Sequence, residues 1–274
     1  MTHEEILRQA EADCRKIDES LPYYLEHRDS LLEKVRAQVV HTEYAVGGTI
    51  HRGYYCPSPI QDIIVGGTKR GVLRKKPDMK EKTHVYGFDS KGRLVYVEHP
   101  WNAQECIFWS DNREISIVYD SAWGDKTKIA MICEAVYEQS QLQKYTEYKV
   151  SPFHWVMDFT REEYTYSSLG LSAAVFQSYV SDKAVTELLP KVPDAGFWGV
   201  AEHALGSGGA DKLTATLVSE MLKSGFMHLF NRFTFEHDDE GYLSQYVLIS
   251  YSGNNLEKAR DPEGPYHIKK RRKV

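Results

Sequence analysis

The chain has 274 residues, 42% of them hydrophobic and 27% charged, with a net charge of −5. That composition excludes a disordered tail or a fibre and is large enough for one sizeable core or two modest ones. No apolar run is long enough to span a membrane, and the start Met1-Thr2-His3-Glu4-Glu5 lacks the basic and apolar stretches of a secretory signal, so a cytoplasmic protein is expected.

Taken in chain order, the first forty residues read as helix. Thr2 and Glu5 fit a capping box, and Ile6, Ala10, Ile17 and Leu21 fall near helical spacing. Pro22 suits a break and restart, after which Tyr24, Leu25, Leu31, Leu32, Val35 and Val39 form a second apolar stripe. A helical hairpin or one kinked helix would satisfy both stripes. Residues 44–83 are punctuated by Gly47-Gly48, Pro57-Ser58-Pro59, Gly66-Gly67 and Gly71, with short strands expected around residues 49–55, 63–65 and 72–75.

From residue 83 to about 149 the pattern is a β-meander. Its clearest unit is Tyr86-Gly87-Phe88-Asp89-Ser90-Lys91-Gly92-Arg93-Leu94-Val95-Tyr96, where Tyr86, Phe88, Leu94 and Tyr96 step by two on either side of a D-x-x-G turn. Asp at the first position of a type I turn accepts from the following amides, and Gly three residues on takes the left-handed conformation that closes the hairpin. Looser copies follow. At Ser110-Asp111-Asn112-Arg113-Glu114, Glu114 stands where the turn Gly is expected; residues 163–171 carry Ser in place of Asp; and Phe235-Glu236-His237-Asp238-Asp239-Glu240-Gly241-Tyr242 restores both Asp and Gly. Helices are expected at 184–189, 195–205 and 211–223, strands resume near 226, and residues 266–274 suit one more strand.

Phe88-Asp89-Ser90-Lys91-Gly92-Arg93-Leu94 resembles the YD repeat of RHS proteins: an aromatic, Asp, two residues, Gly-Arg and an aliphatic. The other copies depart from it, since Ser110-Asp111 lacks the preceding aromatic and the Gly, and Gly241-Tyr242 lacks the Arg. RHS arrays are long and this chain has few units. It is therefore more similar to the short bacterial proteins with YD-like hairpins found beside polymorphic toxin genes, and that resemblance implies an immunity protein.

Motifs that would carry catalysis are missing. There is no H-E-x-x-H, no G-x-S-x-G and no C-x-x-C. Gly206-Ser207-Gly208-Gly209 precedes a helix without the Lys of a phosphate loop, and reads as a flexible cap. His237-Asp238-Asp239-Glu240, with His228 nearby, collects metal-ligand types but occupies a hairpin turn. Cys14, Cys56, Cys106 and Cys133 stand far apart, as four reduced thiols would.

Charge is unevenly placed. Lys269-Lys270-Arg271-Arg272-Lys273 leaves 29 basic against 39 acidic residues elsewhere, a net of −10, which disfavours nucleic acid and suits a basic protein partner. The basic run is either a tail or an edge strand with charged solvent-side residues. Among the tryptophans, Trp101 in His99-Pro100-Trp101-Asn102 and Trp123 before Gly124-Asp125 lie in turn-like segments and are the candidate partner-binding residues.

The expected architecture is α+β and a single domain over 1–274: N-terminal helices over 1–40, a large twisted antiparallel sheet of repeated hairpins over 44–180 and 226–274, and a helical insertion over 181–225. The expected function is non-catalytic protein binding, with no cofactor, metal or catalytic residue. Asp89, Gly92, Asp238 and Gly241 are structural turn residues. Two alternatives stand beside it: an enzyme with a pocket between sheet and insertion, and a structural fragment of an RHS-like assembly.

Overall fold

The computed structural model describes residues 3–64, 68–77, 83–120, 128–151, 153–181, 183, 228–251 and 261–268. Thirteen strands in antiparallel pairs dominate them, with two N-terminal helices, one further short helix and a 3-10 turn. The described protein is thus mostly β with an N-terminal helical segment, rather than evenly α+β. The body of the expected helical insertion lies outside the described residues. Among the described residues no helix is long and apolar enough to cross a membrane.

Helix α1 (His3–Glu26) buries Ile6, Ala10, Cys14, Ile17 and Leu21 at three- and four-residue spacing. Pro22 does not break it. The helix continues to Glu26 and steps at His27 (φ −97°, ψ 11°) into α2 (Arg28–Arg36). A proline removes one N–H bond and crowds the carbonyl four residues back, and with Leu21 fully buried at 0% exposure the packed stripe outweighs that cost.

The chain divides into two compact units, Ile17–Trp155 and Met1–Lys16 with Val156–Val274. The first holds β1 (His41–Val46), β2 (Val72–Arg74), β3 (Thr83–Phe88), β4 (Leu94–Glu98), β5 (Gln104–Ser110), β6 (Arg113–Asp120), β7 (Lys128–Glu138) and β8 (Gln141–Val150), in the order β8-β7-β6-β5-β4-β3-β1-β2. Two expected strands are absent among the described residues. Residues 49–55 form a loop that closes in the 3-10 turn Gly53–Tyr55, and Ile63 lies in α3 (Gln61–Ile64). The local cause is Ser58, whose hydroxyl accepts from the amides of Ile60 and Gln61 at 3.3 and 3.1 Å and starts a helical turn instead.

Register assigns the faces of this sheet. Tyr86 pairs with Val97, Val97 with Glu105, Glu105 with Val118, Ser116 with Cys133, and Cys133 with Glu147. By the two-residue period, His84, Glu105, Glu114, Cys133, Tyr145 and Glu147 all share one face. Loop 47–64 reaches across it. The opposite face carries Tyr96 and Tyr119, which meet the helices: the Arg36 guanidinium donates to the Tyr96 hydroxyl at 2.8 Å, and the Tyr119 hydroxyl to the Tyr24 carbonyl at 2.9 Å.

The second unit contains β9 (Val156–Ser167), β10 (Gly170–Val180), β11 (His228–His237), β12 (Leu243–Tyr251) and β13 (Glu263–His267), in sequence order across the sheet. Arg161 on β9 pairs with Asp13 on α1. The final strand begins earlier than expected and residues 269–274, with the basic run, lie outside the described residues.

One turn recurs. At 89–93, Asp89 N–H donates to Arg93 O and Gly92 N–H to Asp89 O, both at 2.9 Å, with Gly92 at φ +73°. Asp238 and Gly241 repeat it, with Asp238 N–H to Tyr242 O at 2.8 Å and Gly241 at φ +78°. The same two bonds also join His99 to Ala103 and Asn102 to His99, at 2.9 and 3.1 Å, with Asn102 at φ +66°. A fourth instance runs from Ser151 to Trp155 with His154 at φ +61°. At Ser110, by contrast, the turn is the shorter Asp111-Asn112. Arg113 pairs with Ser110, so Glu114 stands in β6 and not in a turn.

Candidate functional site

Buried polar groups concentrate on the covered face of the first unit. Arg52 is 1% exposed, in left-handed conformation (φ 59°), and its guanidinium reaches two carboxylates. It donates through Nε and Nη2 to Glu105 Oε1 at 3.0 and 2.6 Å, and through Nη1 to Glu114. Gly53 follows, also left-handed. A Cβ there would stand 2.8 Å from the Tyr86 hydroxyl oxygen and 2.9 Å from His84 Cε1, so only glycine lets the loop approach β3. The Tyr86 hydroxyl donates to Arg52 O at 3.0 Å and accepts from Tyr54 N–H at 3.1 Å, fixing that approach.

Three imidazoles gather beside this ion pair. His51 precedes Arg52 on the loop, His84 stands on β3, and His99 opens the 99–102 turn. His99 Nε2 lies 3.0 Å from Glu105 Oε2, and His51 Nε2 lies 3.3 Å from the same oxygen without the alignment of a hydrogen bond. On its other side His51 Nδ1 meets the Tyr145 hydroxyl at 2.9 Å, with Glu147 Oε1 at 3.6 Å and Cys133 Sγ at 3.8 Å. Tyr145 donates to Glu147 at 2.9 Å, and Gln61 to the same carboxylate at 3.1 Å. Both ring nitrogens of His84 and Nδ1 of His99 are buried without a hydrogen-bond partner.

These surroundings set the ionisation states. Burial alone would raise the Glu105 carboxyl, but Arg52 and His51 outweigh it and hold it well below the carboxylate range. At His51 burial works against a charged ring, yet Cys133 and Glu105 hold its pKa above the ordinary histidine value. Burial lowers His99 against the pull of Glu105, and lowers His84 to about 3 with His99 and His51 adding to the effect. Burial raises the Cys133 thiol. A buried thiol of that kind is the opposite of an activated nucleophile, so the Cys133–His51 approach does not make a catalytic dyad.

Trp101 sits over this centre. Its ring lies 4.5 Å from that of His99 and 5.6 Å, edge-on, from that of His84, while the residue keeps 36% exposure. The other candidate, Trp123, lies outside the described residues, as does the 206–209 glycine run. Trp155 is buried, and the half-buried Trp109 donates its indole N–H to Leu94 O at 2.8 Å. In the 238–241 turn Asp238 Oδ1 accepts from the amides of Glu240 and Tyr242 at 3.0 and 2.9 Å. A cavity of about 540 Å³ lies elsewhere, lined by Arg28, Asp29, Glu33, Arg36 and Gln104, away from the histidines. All four cysteines are buried thiols.

Sequence reasoning missed His51, Arg52, His99 and Glu105 as a group. The available signal was a carboxylate on the apolar phase of a strand: Glu105 is in step with Ile107 and Trp109.

No protein-family model matches the chain, and no curated protein matches it. Among solved structures it is similar to "TcdB2-TccC3-Cdc42", at 15% identity and a TM-score of 0.19 over 65% of this chain and 9% of that one. It is also similar to "TcdB2-TccC3", at 14% identity and a TM-score of 0.18 over 65% of this chain and 10% of that one. The chain thus spans about a tenth of the length of those chains, and a superposition of that quality carries no argument about fold or role.

Proposed function

We propose that the protein is a non-catalytic protein-binding module whose contact surface centres on Trp101, and that its sharpest biological form is a cytoplasmic immunity protein blocking a cognate toxin. The observation that carries the reading is the state of Trp101. A large indole stands about a third exposed on a tight turn, backed by the His99 and His84 rings. Such a side chain is already ordered before binding, so association costs less entropy, and tryptophan is among the residues that dominate interface energies. The surplus of acidic residues outside the C-terminal run favours encounter with a basic partner, which the sheet would then block sterically.

The test is capture by the full chain followed by mass spectrometry, with Trp101→Ala in parallel. The reading expects one defined protein retained by the wild type, with affinity reduced by about 2 kcal/mol or more in the variant. Its association rate should fall as salt rises, because screening shortens the field to about 8 Å at physiological ionic strength. Equal affinity of both proteins for that partner, or robust turnover of a small molecule by the purified chain, overturns the reading.

A further inference from the structure

We propose that His51, His99 and Glu105 form a binding site for one first-row divalent metal ion, zinc being the ion that suits their chemistry best. This stands apart from the Trp101 reading and departs from the sequence expectation of no metal. The three donor groups come from the loop, the 99–102 turn and strand β5, and their ligand atoms lie within 4.8 Å of one another.

The geometry fits. Zinc holds imidazole nitrogen at about 2.0–2.1 Å and carboxylate oxygen at about 2.0–2.2 Å, so neighbouring ligand atoms in a tetrahedral site stand about 3.3 Å apart. Glu105 Oε2 lies 3.3 Å from His51 Nε2 and 3.0 Å from His99 Nε2. The side chains of His51, His99 and Glu105 are 5%, 0% and 0% exposed, and His51 Nε2 has no hydrogen-bond partner. That nitrogen faces Glu105 Oε2 without the alignment of a hydrogen bond, and a metal ion between the two would satisfy both.

The surroundings of His51 and Glu105 fit as well, whereas the second nitrogen of His99, Nδ1, has no hydrogen-bond partner. Metal-bound histidines characteristically use their second nitrogen to meet a hydroxyl, carboxylate or carbonyl. His51 Nδ1 meets the Tyr145 hydroxyl, itself bonded to Glu147. The second oxygen of Glu105 is held by the Arg52 fork, which leaves Oε2 to the site. Glu105, Glu114 and Glu147 set three carboxylates against the one guanidinium of Arg52, so a divalent ion with neutral imidazoles balances the buried charge. Two imidazoles with one carboxylate favour zinc-type ions over magnesium or calcium, which take oxygen ligands. Three protein ligands leave a fourth position for water or a side chain. Bridging a loop, a turn and a strand, the ion would also tie folding to metal.

The experiment uses the full chain, stripped with chelator and titrated with Zn²⁺ alone, with bound metal counted by elemental analysis and coordination read by X-ray absorption. One equivalent is expected, with a nitrogen/oxygen shell at about 2.0–2.1 Å, no sulfur near about 2.3 Å, and a thermal midpoint that rises with zinc. Tyr145→Phe, which keeps the ring, should weaken binding about 10–100-fold, and His99→Gln should abolish stoichiometric binding. A wild type that takes up no zinc, a shell containing sulfur, or a folded His99→Gln that binds as well as wild type each overturns the proposal. Should His99→Gln fail to fold, the wild-type absorption data and the Tyr145→Phe affinity decide it alone.

Discussion

In the 89–93 turn Asp89 Oδ1 accepts the amides of Lys91 and Arg93 at 2.9 Å, and Oδ2 meets the Arg93 guanidinium. In the 99–103 turn the backbone bonds are the same, but His99 points away from them to Glu105. One turn spends its first side chain on its own closure. The other relies on the backbone alone, with Asn102 in the left-handed place of Gly92, and so releases a side chain for the interior and presents Trp101 outside. A hairpin repeat can thus host a site without changing its scaffold, because closure and chemistry draw on different atoms of the same turn.

The largest effect separating the two settings is expected at their arginines. Arg52→Met leaves Glu105 and Glu114 buried without their cation and should cost about 3–5 kcal/mol by urea denaturation. Arg93→Met removes a pair whose arginine is 39% exposed and should cost at most about 1 kcal/mol. Acid should narrow the contrast. Since the folded-state pKa of Glu105 is depressed, its contribution is fully present above the ordinary carboxylate range of roughly 4 and is lost as pH falls through the depressed value. Wild type should therefore lose its advantage over Arg52→Met progressively in acid, and a pH-independent difference would contradict the assignment.

Next in size are the left-handed positions. Gly92→Val and Gly241→Val each impose positive φ on a β-branched residue and should cost about 1–3 kcal/mol, read from denaturation midpoints. Asn102→Gly keeps the conformation available and should stay within about 1 kcal/mol of wild type. Equal losses for all three would mean that backbone closure is not what the turns share.

The smallest effect on stability, though a clear one on reactivity, concerns the thiols. Burial raises the pKa of Cys133 and pushes that of Cys106 to about 12, so native protein should react with a thiol reagent far more slowly than the urea-unfolded chain, in which all four become available. Rapid native labelling of Cys133 would show that the histidine centre opens to solvent.

Much of the scaffold could be read from residues close together in the chain. The Asp89 and Asp238 turns are local, since two or three amides and one glycine decide them, and the strands of the meander follow from their alternation. The 99–103 turn was recognised only as a turn-like connection, because His and Asn replace the residues that announce the motif. Loop 47–64 defeated sequence reasoning because its course is set by long-range partners: Arg52 needs Glu105 and Glu114, 53 and 62 residues on. The histidine centre was illegible for the same reason. Only strand register brings β3, β5, β7 and β8 side chains to one face, and no local spacing encodes it.

The central claim is that position 99 serves the interior and not the turn, and His99→Asp tests it most directly by equilibrium unfolding at neutral pH. The variant supplies the residue that the 89–93 turn uses, so turn formation alone predicts equal or greater stability. This account instead expects a loss of about 3 kcal/mol or more, with the β-sheet signal retained, because Glu105 gains a buried like charge in place of an imidazole. A His99→Asp protein as stable as wild type would contradict it.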